Sequence, residues 1–502
     1  MITGNKPSFI LQRAINSALL SVCLAFGMPV LGEGLTNIAE NVNDVSVSGD
    51  GRIAVFRNSA GTGPRVSYRA LDDDAESIGI APDSNHRFGD VELSDDGRFI
   101  VFSSSSPDLV PDDTNGRDDI FLHDTVLGVT TRVSVSSTGT QGNNHSRDAG
   151  ISADGQFIVF MSFANNLTAD SNPGPDIFLY EVAERATRKV SIDSDGRETI
   201  GSNSDPVISA DGNFIAFTSS SSEYTTTFPF DSNGGDDIYM HSVADGSTVK
   251  VSTDVTQTRS DLNPEDFITF DSRSPSISAD GRFVLYLSVF IPSFGEPPNH
   301  NNLFSLRLRD TVARVTTDVI VGVDGLPADF DVTGAMLSTD GRFVVYESAA
   351  TNLLPEPVER QNNIFLTDLY TSETVLVTAP PNGERANAFS TGPSISADGS
   401  RVVFRTLANN LVPFEVDPNQ TGRTLAVLFE NNVADAEAPE PLIGPSDNCQ
   451  YFDASNFQGW GWDPVARESC PPLESLGCDY SQADIHDGWG WDAGTGMSCD
   501  PL

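Results

Sequence analysis

The chain has few basic residues, and this shortage excludes two classes of partner. Its 502 residues include 29 Lys and Arg against 71 Asp and Glu, which gives a formal charge of −42 at pH 7. Nucleic acids and anionic membranes are bound mainly through Lys and Arg, so a surface of this charge repels both. We therefore predict no nucleic-acid partner. The acidic excess suits solubility, a salty environment or divalent cations.

Cysteine is also scarce, and its distribution indicates an exported chain. Residues 1–32 combine Lys6 and Arg13 with an apolar run that ends before Gly32, as in a secretion signal. Polar residues and a proline interrupt this run, which argues against a membrane anchor, and no later segment is suited to membrane insertion. We expect a secreted or periplasmic protein. Of the five cysteines, Cys23 leaves with the signal, and the remaining four predict two disulfides.

Motifs of hydrolytic and metal-dependent enzymes are missing from the sequence. It contains no nucleophile elbow, no HExxH pair, no paired Cys and His ligands and no glycine-rich phosphate loop, and its six histidines are scattered. Loop residues from distant segments can still converge in a folded protein, so catalysis stays open. The absences favour a binding protein over an enzyme.

What the chain has in abundance is an internal repeat. A Ser-x-Asp-Gly tetrad occurs seven times, and an aromatic residue follows each Ser at a distance of eight residues. We interpret the tetrad Ser and Asp as turn formers that hydrogen-bond to the local backbone, because a pair repeated in every unit serves folding. The tetrads begin at Ser48, Ser94, Ser152, Ser209, Ser278, Ser338 and Ser396, and the aromatics are Phe56, Phe102, Phe160, Phe217, Tyr286, Tyr346 and Phe404.

Each repeat predicts four antiparallel strands. In the fourth copy, an apolar strand at 207–209 meets an Asp-Gly turn in which Gly212 can take a positive φ, and a second strand returns through 214–217. Runs such as Ile177-Phe178-Leu179 supply a third strand. Runs such as Lys189-Val190-Ser191 supply a fourth.

Four-stranded units repeated along a chain are typical of a β-propeller, in which radial stacking leaves few exposed strand edges. The segments SADGRFVLY at 278–286 and STDGRFVVY at 338–346, followed by a third strand of the Ile-Phe type, resemble TolB-like, WD-repeat-like propellers over about residues 43–430. That family commonly has six blades, whereas seven tetrads predict an all-β, seven-bladed propeller here, with six as the alternative. The segment from Leu35 to Glu40 could supply the closing strand. The resemblance also implies a periplasmic assembly role as one possible function.

A second recurring element, D-x-N-x-x-x-D, precedes the third strand of three repeats. Alternating oxygen ligands along a turn suit Ca²⁺, although the bidentate Glu that closes an EF-hand loop is missing. The alternative is an Asx turn that shapes the loop without metal. No cofactor is certain, and calcium is the one candidate. The metal-ligand candidates are Asp113, Asn115, Asp119, Asp170, Asn172, Asp176, Asp231, Asn233 and Asp237.

The C-terminal tail holds two further repeats. After an acidic linker at 433–448, Cys449 to Cys470 and Cys478 to Cys499 align residue by residue at an offset of 29, each with a Tyr, a Gly-Trp-Gly-Trp-Asp core and a closing Ser-Cys. A unit this small needs a covalent staple, so we predict bonds Cys449–Cys470 and Cys478–Cys499, with pairing between copies as the alternative.

The two Trp residues of each copy are predicted to form a platform for a flat ligand. Residues at i and i+2 of an extended segment point to the same side, and the adjacent glycines leave room for a sugar ring. The core resembles small type X cellulose-binding modules, which implies carbohydrate binding, although these copies are shorter and have fewer cysteines. The alternatives are a miniature core or a sorting handle. The ligand-binding candidates are Tyr451, Trp460, Trp462, Tyr480, Trp489 and Trp491.

These patterns together predict an acidic, exported, monomeric binding protein. Residues 33–432 would form the propeller, and 449–470 and 478–499 would form two disulfide-closed modules. The propeller would present a surface to a protein or polysaccharide ligand, and the tail would attach the protein to carbohydrate or another surface. A propeller-based polysaccharide-active enzyme and a TolB-like periplasmic assembly factor are the competing hypotheses.

Overall fold

A computed structural model describes most of the chain from Leu35 to Asn431. Within that range it leaves out residues 60, 62, 73–75, 82–85, 169–173, 225–234, 254–268, 292–303, 324–327, 380–384 and 413–422. In the tail it describes only the backbone of five short strands. The predicted signal and linker lie outside the described residues.

The described residues from Leu35 to Asn431 form seven four-stranded antiparallel sheets, which confirms the seven-bladed propeller. Blade 1 consists of β2 (Val42–Val47), β3 (Ile53–Asn58), β4 (Val66–Ala70) and β5 (Ile78–Ala81). Blade 2 consists of β6 (Phe88–Leu93), β7 (Phe99–Ser104), β8 (Asp119–Asp124) and β9 (Val129–Arg132). Blade 3 consists of β10 (Ser146–Ile151), β11 (Phe157–Ser162), β12 (Asp176–Glu181) and β13 (Ala186–Lys189).

The remaining blades repeat this order. Blade 4 consists of β14 (Asn203–Ile208), β15 (Phe214–Ser219), β16 (Asp237–Ser242) and β17 (Thr248–Lys250). Blade 5 consists of β18 (Thr269–Ile277), β19 (Phe283–Ile291), β20 (Phe304–Asp310) and β21 (Val315–Asp318). Blade 6 consists of β22 (Val332–Leu337), β23 (Phe343–Ser348), β24 (Asn363–Asp368) and β25 (Glu373–Leu376).

Blade 7 is closed by the N-terminal strand, as the sequence predicted. It consists of β26 (Ser390–Ile395), β27 (Arg401–Thr406), β28 (Leu425–Glu430) and β1 (Thr36–Glu40), and β1 pairs antiparallel with β28. The first and last parts of the propeller chain are therefore hydrogen-bonded in one sheet. Among the described residues, no helix is long and apolar enough to cross a membrane.

The Ser-x-Asp-Gly tetrad forms the turn between the first two strands of every blade. In blade 3, Ser152 Oγ donates to Asp154 Oδ1 at 2.7 Å and accepts the Phe157 N–H at 3.0 Å, while Gly155 has a φ of 68°. The other six tetrads make the same Ser to Asp contact, and their glycines also have positive φ. The interpretation of Ser and Asp as turn formers is confirmed.

The repeated aromatics pack between blades, as predicted. All seven are at most 1% exposed. Phe102 of blade 2 lies in one hydrophobic cluster with Val55 of blade 1, and Phe404 of blade 7 lies with Val345 of blade 6. Burial of large side chains at each boundary supplies the main force that holds neighbouring blades together.

A belt of backbone hydrogen bonds links the tetrad turns around the propeller. Each turn donates one N–H to a carbonyl of the next blade, at distances between 2.8 and 3.1 Å. The belt therefore encircles the tetrad end of the central axis. Its donor and acceptor pairs are Asp50–Asp95, Asp95–Ala153, Ala153–Ala210, Asp211–Ala279, Ala279–Thr339, Asp340–Ala397 and Ala397–Gly49.

The first strand of each blade is the innermost one. These seven strands contact each other in cyclic order around the axis and line its central channel. They begin at the end opposite the tetrad belt, where the loops between second and third strands also lie. We call this end the mouth.

The tail is described only as backbone pairs. β29 (Gly461–Asp463) pairs with β30 (Glu468–Cys470), and β32 (Trp489–Asp492) pairs with β31 (Cys478–Asp479) and with β33 (Met497–Pro501). The two disulfides and the Trp platforms stay predictions, because the side chains of these strands lie outside the described residues. Cys449, Tyr451, Trp460 and Tyr480 fall wholly outside them.

Candidate functional site

Four carboxylates occupy one position in four successive innermost strands. This position lies four residues before each tetrad Ser, near the mouth. Blades 5, 6 and 7 have Ser274, Gly334 and Gly392 there, and the Glu347 carboxylate of blade 6 accepts the Gly392 N–H at 3.1 Å. We call the four residues the acidic arc. They are Asp44, Asp90, Asp148 and Asp205.

A β-bulge sets the conformation of this position. In blades 3 and 4, the pairing of the first two strands shifts register next to Asp148 and Asp205, whose φ angles are 52° and 51°. Asp tolerates this left-handed conformation better than most residues, and a bulge redirects the side chain. The matching residues of blades 5 to 7 also have positive φ. Blades 3 to 7 thus share this backbone conformation, whereas Asp44 and Asp90 are not among the residues with positive φ.

The carboxylates of the arc interact electrostatically along the channel. Burial, followed by the charge of Asp90, raises the pKa of Asp44 to about 6, although Arg57 and Arg405 act in the opposite direction. Burial, followed by the charges of Asp90 and Asp205, raises the pKa of Asp148. Asp44 and Asp148 therefore interact electrostatically with aspartates of adjacent blades.

Glu92 lies deeper in the same channel. Its neighbours Val91 and Leu93 pack into the cluster between blades 1 and 2, so Glu92 lies on the opposite face of β6, towards blade 3. Burial, followed by the charges of Asp44 and Asp90, raises the pKa of Glu92 to about 8. The side chain of Glu92 is of intermediate exposure.

Basic side chains lie near the arc, and Arg57 Nε is 4.0 Å from Asp44 Oδ2. Arg57 Nη2 donates to the Asn43 carbonyl at 3.3 Å, and Arg405 Nη1 donates to the same carbonyl. Arg147 Nε donates to Asp118 Oδ2 at 2.7 Å. These arginines reduce the negative potential around Asp44 and Asp148. None of them contributes to the pKa of Glu92.

A histidine lies at the mouth between blades 2 and 3. His145 Nδ1 accepts the N–H of the buried Asp118 at 3.1 Å, and its Nε2 lies 3.3 Å from Arg117 Nη1. Arg147 completes this group through the Asp118 carboxylate. It is the one described cluster that brings His, Arg and Asp together at the mouth.

The first D-x-N-x-x-x-D loop has the geometry of an Asx turn. Asn115 Oδ1 accepts the Arg117 N–H at 2.7 Å, and Asn115 Nδ2 donates to Asp119 Oδ2 at 3.0 Å. Gln141 Nε2 donates to Asp113 at 2.9 Å and to Asp119 at 2.8 Å. The carboxylates here face hydrogen-bond donors, which do not fit a cation. Among the described residues no group of three His, Cys, Asp or Glu could hold a metal.

The last Asp of each D-x-N-x-x-x-D motif is a buried structural residue. Asp176 Oδ2 lies 2.9 Å from Lys189 Nζ, and Asp237 Oδ2 lies 2.7 Å from Lys250 Nζ. Asp119 lies 3.8 Å from Arg132 in the equivalent pair. A Ser two residues beyond the end of the fourth strand donates to each of these carboxylates. The last Asp of each motif therefore contacts both the first and the last residue of an Arg/Lys-Val-Ser run.

The other four residues of the second and third motifs, Asp170, Asn172, Asp231 and Asn233, lie outside the described residues. Calcium binding by these loops therefore stays a prediction.

Neither the acidic arc nor Glu92 is apparent from the sequence. A readable signal was present, because the four aspartates share a fixed offset from the tetrad. The four-residue offset can be interpreted only when the first strand of each blade is known to be the innermost one.

The fold is similar to that of solved propellers. TolB from Acinetobacter baumannii is 16% identical over 72% of this chain and 68% of its own, with a TM-score of 0.36. Oligogalacturonate lyase from Vibrio parahaemolyticus is 11% identical over 79% and 91%, with a TM-score of 0.46. The β-propeller domain of the Trilobed protease from Pyrococcus furiosus is 12% identical over 74% and 93%, with a TM-score of 0.44. No protein-family model and no curated protein matches the chain. The similarities concern the fold and assign no ligand or activity.

Proposed function

We propose that this chain is an exported binding protein that receives its ligand at the mouth of the propeller. One observation carries the proposal: the sevenfold repetition is kept at the tetrad end and broken at the mouth. A structural requirement applies equally to every blade, so the tetrad recurs in all of them. The acidic arc occupies four successive blades, and such asymmetry suits recognition of one ligand in one orientation.

Exposed aromatic residues at the mouth support this proposal. Phe163 follows β11, Phe330 precedes β22 and Phe389 precedes β26, and they are 41%, 38% and 49% exposed. Exposed aromatics beside charged groups supply apolar contact area together with polar specificity, and they are enriched at binding surfaces. The ligand in this proposal is a protein or a polysaccharide.

The tail is proposed to attach the protein to carbohydrate or to another surface. In the second copy, both Trp489 and Trp491 belong to β32, which agrees with the extended segment that a Trp platform requires. The backbone pairing shifts register between them, so the relative direction of the two rings is left to experiment. A secretion signal and two disulfides complete this proposal.

Binding to insoluble cellulose and chitin tests the attachment role. The full-length protein should sediment with at least one of them, and the double variant Trp489→Ala/Trp491→Ala should lose most of that binding. Its propeller should melt at the same temperature as the wild type. A wild type that binds no polysaccharide on a glycan array or in sedimentation would refute the sugar platform.

A polysaccharide-active enzyme is the second candidate, favoured by the His145 group. The imidazole is fixed by the Asp118 N–H beside Arg117, and a His and Arg pair at the mouth suits contact with an acidic polysaccharide. Incubation of the protein with polygalacturonate, followed by absorbance of unsaturated products, tests it. Activity that His145→Ala abolishes would support an enzyme. Absence of product would leave the binding role as the better account.

A further inference from the structure

We propose that blade 3 forms an intramolecular amide bond between the side chains of Lys189 and Asp176, with Glu198 as the group that transfers the protons. Such a bond joins the third and fourth strands of the blade covalently, and it is independent of the proposed binding role. The observation that carries the inference is a buried lysine whose ammonium lies against two carboxylates. Lys189 Nζ lies 2.9 Å from Asp176 Oδ2 and 3.0 Å from Glu198 Oε1.

Three neighbouring segments of blade 3 bring these side chains together. Asp176 begins β12 and Lys189 ends β13, where it pairs with Phe178. Side chains two residues apart on a strand share one face, so Lys189 and Asp176 are diagonal neighbours across the two strands. Glu198 belongs to the turn that follows β13, and a backbone bridge to Ile192 holds it there. The backbone therefore fixes the positions of all three residues.

The pair that would react is enclosed by protein. The side chains of Asp176 and Lys189 are 1% and 7% exposed. Charges withdrawn from water are costly, and transfer of one proton from an ammonium to a carboxylate converts an ion pair into a neutral amine and a neutral acid. A neutral amine is a nucleophile, and its fixed place beside the acid replaces a bimolecular encounter by an intramolecular one.

The atoms of the reaction follow from these contacts. One proton of the Lys189 ammonium passes to Asp176 Oδ2, and the neutral Nζ attacks Cγ to form the C–N bond. Glu198 accepts the proton that the attacking nitrogen releases and returns it to Oδ2. The Cγ–Oδ2 bond then breaks and water leaves, while the third ammonium proton stays on the amide nitrogen. Ser191 Oγ donates to Asp176 Oδ1 at 2.7 Å, which stabilises the charge that develops on the retained oxygen.

Blade 2 has unreactive groups at the same three positions. They are Asp119, Arg132 and Gln141, and Gln141 forms the equivalent backbone bridge. A guanidinium keeps its proton and is not a nucleophile, and a carboxamide does not relay protons as a carboxylate does. The comparison supplies two conservative substitutions for blade 3, Lys189→Arg and Glu198→Gln, because the same fold already contains these side chains in blade 2.

Tryptic peptide mapping of the soluble, full-length protein tests the proposal. A chain without the bond is cleaved after Lys189 and releases the linear peptides 148–185 and 190–197. The amide blocks this cleavage and joins 148–185 to 189–197 in one branched peptide, whose mass is lower than the sum of its parts by one water molecule. We expect the branched peptide to replace the linear ones in the wild type, with the link at Asp176.

Variants of blade 3 test the role of each group. Glu198→Gln should abolish the branched peptide, because it removes the group that transfers the protons, and Lys189→Arg removes the nucleophile. Glu184→Gln, in the exposed turn between β12 and β13, is the matched control and should keep the branched peptide at the wild-type level. Far-ultraviolet circular dichroism checks that each variant is folded.

Blade 4 provides an internal control in the same digest. Asp237 Oδ2 and Lys250 Nζ form the equivalent ion pair at 2.7 Å, but the sequence has Arg259 at the spacing of Glu198, outside the described residues. We expect this pair to stay unlinked.

Two results would overturn the proposal. One is recovery of 148–185 and 190–197 as separate peptides from the folded wild type, which needs no variant. The other is a branched peptide at wild-type yield in Glu198→Gln. Either result would leave the binding role of the mouth unaffected.

Discussion

Replacing Glu92 by Gln should stabilise the free protein at alkaline pH. On folding, the pKa of Glu92 rises from 4.5 to about 8. A carboxyl with a raised pKa in the folded state contributes stability that is fully present below pH 4.5 and is lost as the pH rises through about 8. The amide of Gln does not titrate. The variant should therefore gain stability relative to the wild type across this window.

The size of the effect follows from the pKa change. A rise from 4.5 to about 8 corresponds to at most about 5 kcal/mol. Because Glu92 is partly exposed to water in the channel, we expect about 2 to 3 kcal/mol. The unpartnered amide of Gln adds a small cost that does not depend on pH, so the pH dependence of the difference is the diagnostic quantity.

Chemical denaturation at several pH values between about 5 and 9 measures this difference. All four Trp residues lie in the tail, so unfolding of the propeller must be followed by far-ultraviolet circular dichroism. Glu184→Gln serves as the control for loss of one negative charge. A difference between Glu92→Gln and wild type that stays constant with pH would refute the reasoning, as would a wild type that is the more stable protein at pH 9.

Three further predictions concern the scaffold and the loops. Lys250→Met leaves the buried Asp237 carboxylate without its cation and should lower the free energy of unfolding by about 3 to 5 kcal/mol, with partial recovery when Asp237→Asn is added. Gly155→Ala should lower the melting temperature more than Gly128→Ala: both glycines have positive φ, but a Cβ at 155 would lie 2.2 Å from the Phe99 ring, whereas one at 128 meets nothing within 4 Å. Equal losses would contradict the packing argument. If the loops before the third strands bind calcium, chelation should lower the melting temperature, and no change would favour Asx turns throughout.

Much of the scaffold was readable from the sequence because its determinants are local. The tetrad needs a Ser, an Asp and a Gly within four residues, and the hydrogen bonds of Ser152 and Asp154 lie within that turn and the start of the next strand. The aromatic eight residues later is fixed by the length of the second strand. Counting these local units was sufficient to predict seven blades.

The D-x-N-x-x-x-D motif was visible but could not be interpreted fully from spacing. Its last Asp pairs with a base that lies 13 residues later, as in Asp176 with Lys189, on the far side of a hairpin. The sequence showed both members as separate patterns. Only the paired strands join them, because the ion pair forms across β12 and β13.

The acidic arc depended entirely on tertiary structure. Its residues are spread from Asp44 to Asp205 along the chain, and they face one another only because seven blades close into a ring with their first strands innermost. The raised pKa of Glu92 is likewise a property of the assembled propeller, since it depends on burial and on the charges of Asp44 and Asp90. Sequence alone determined the repeating turn and its strands, because these depend on local hydrogen bonding and burial. Closure of the ring decided which of the many carboxylates share one electrostatic environment.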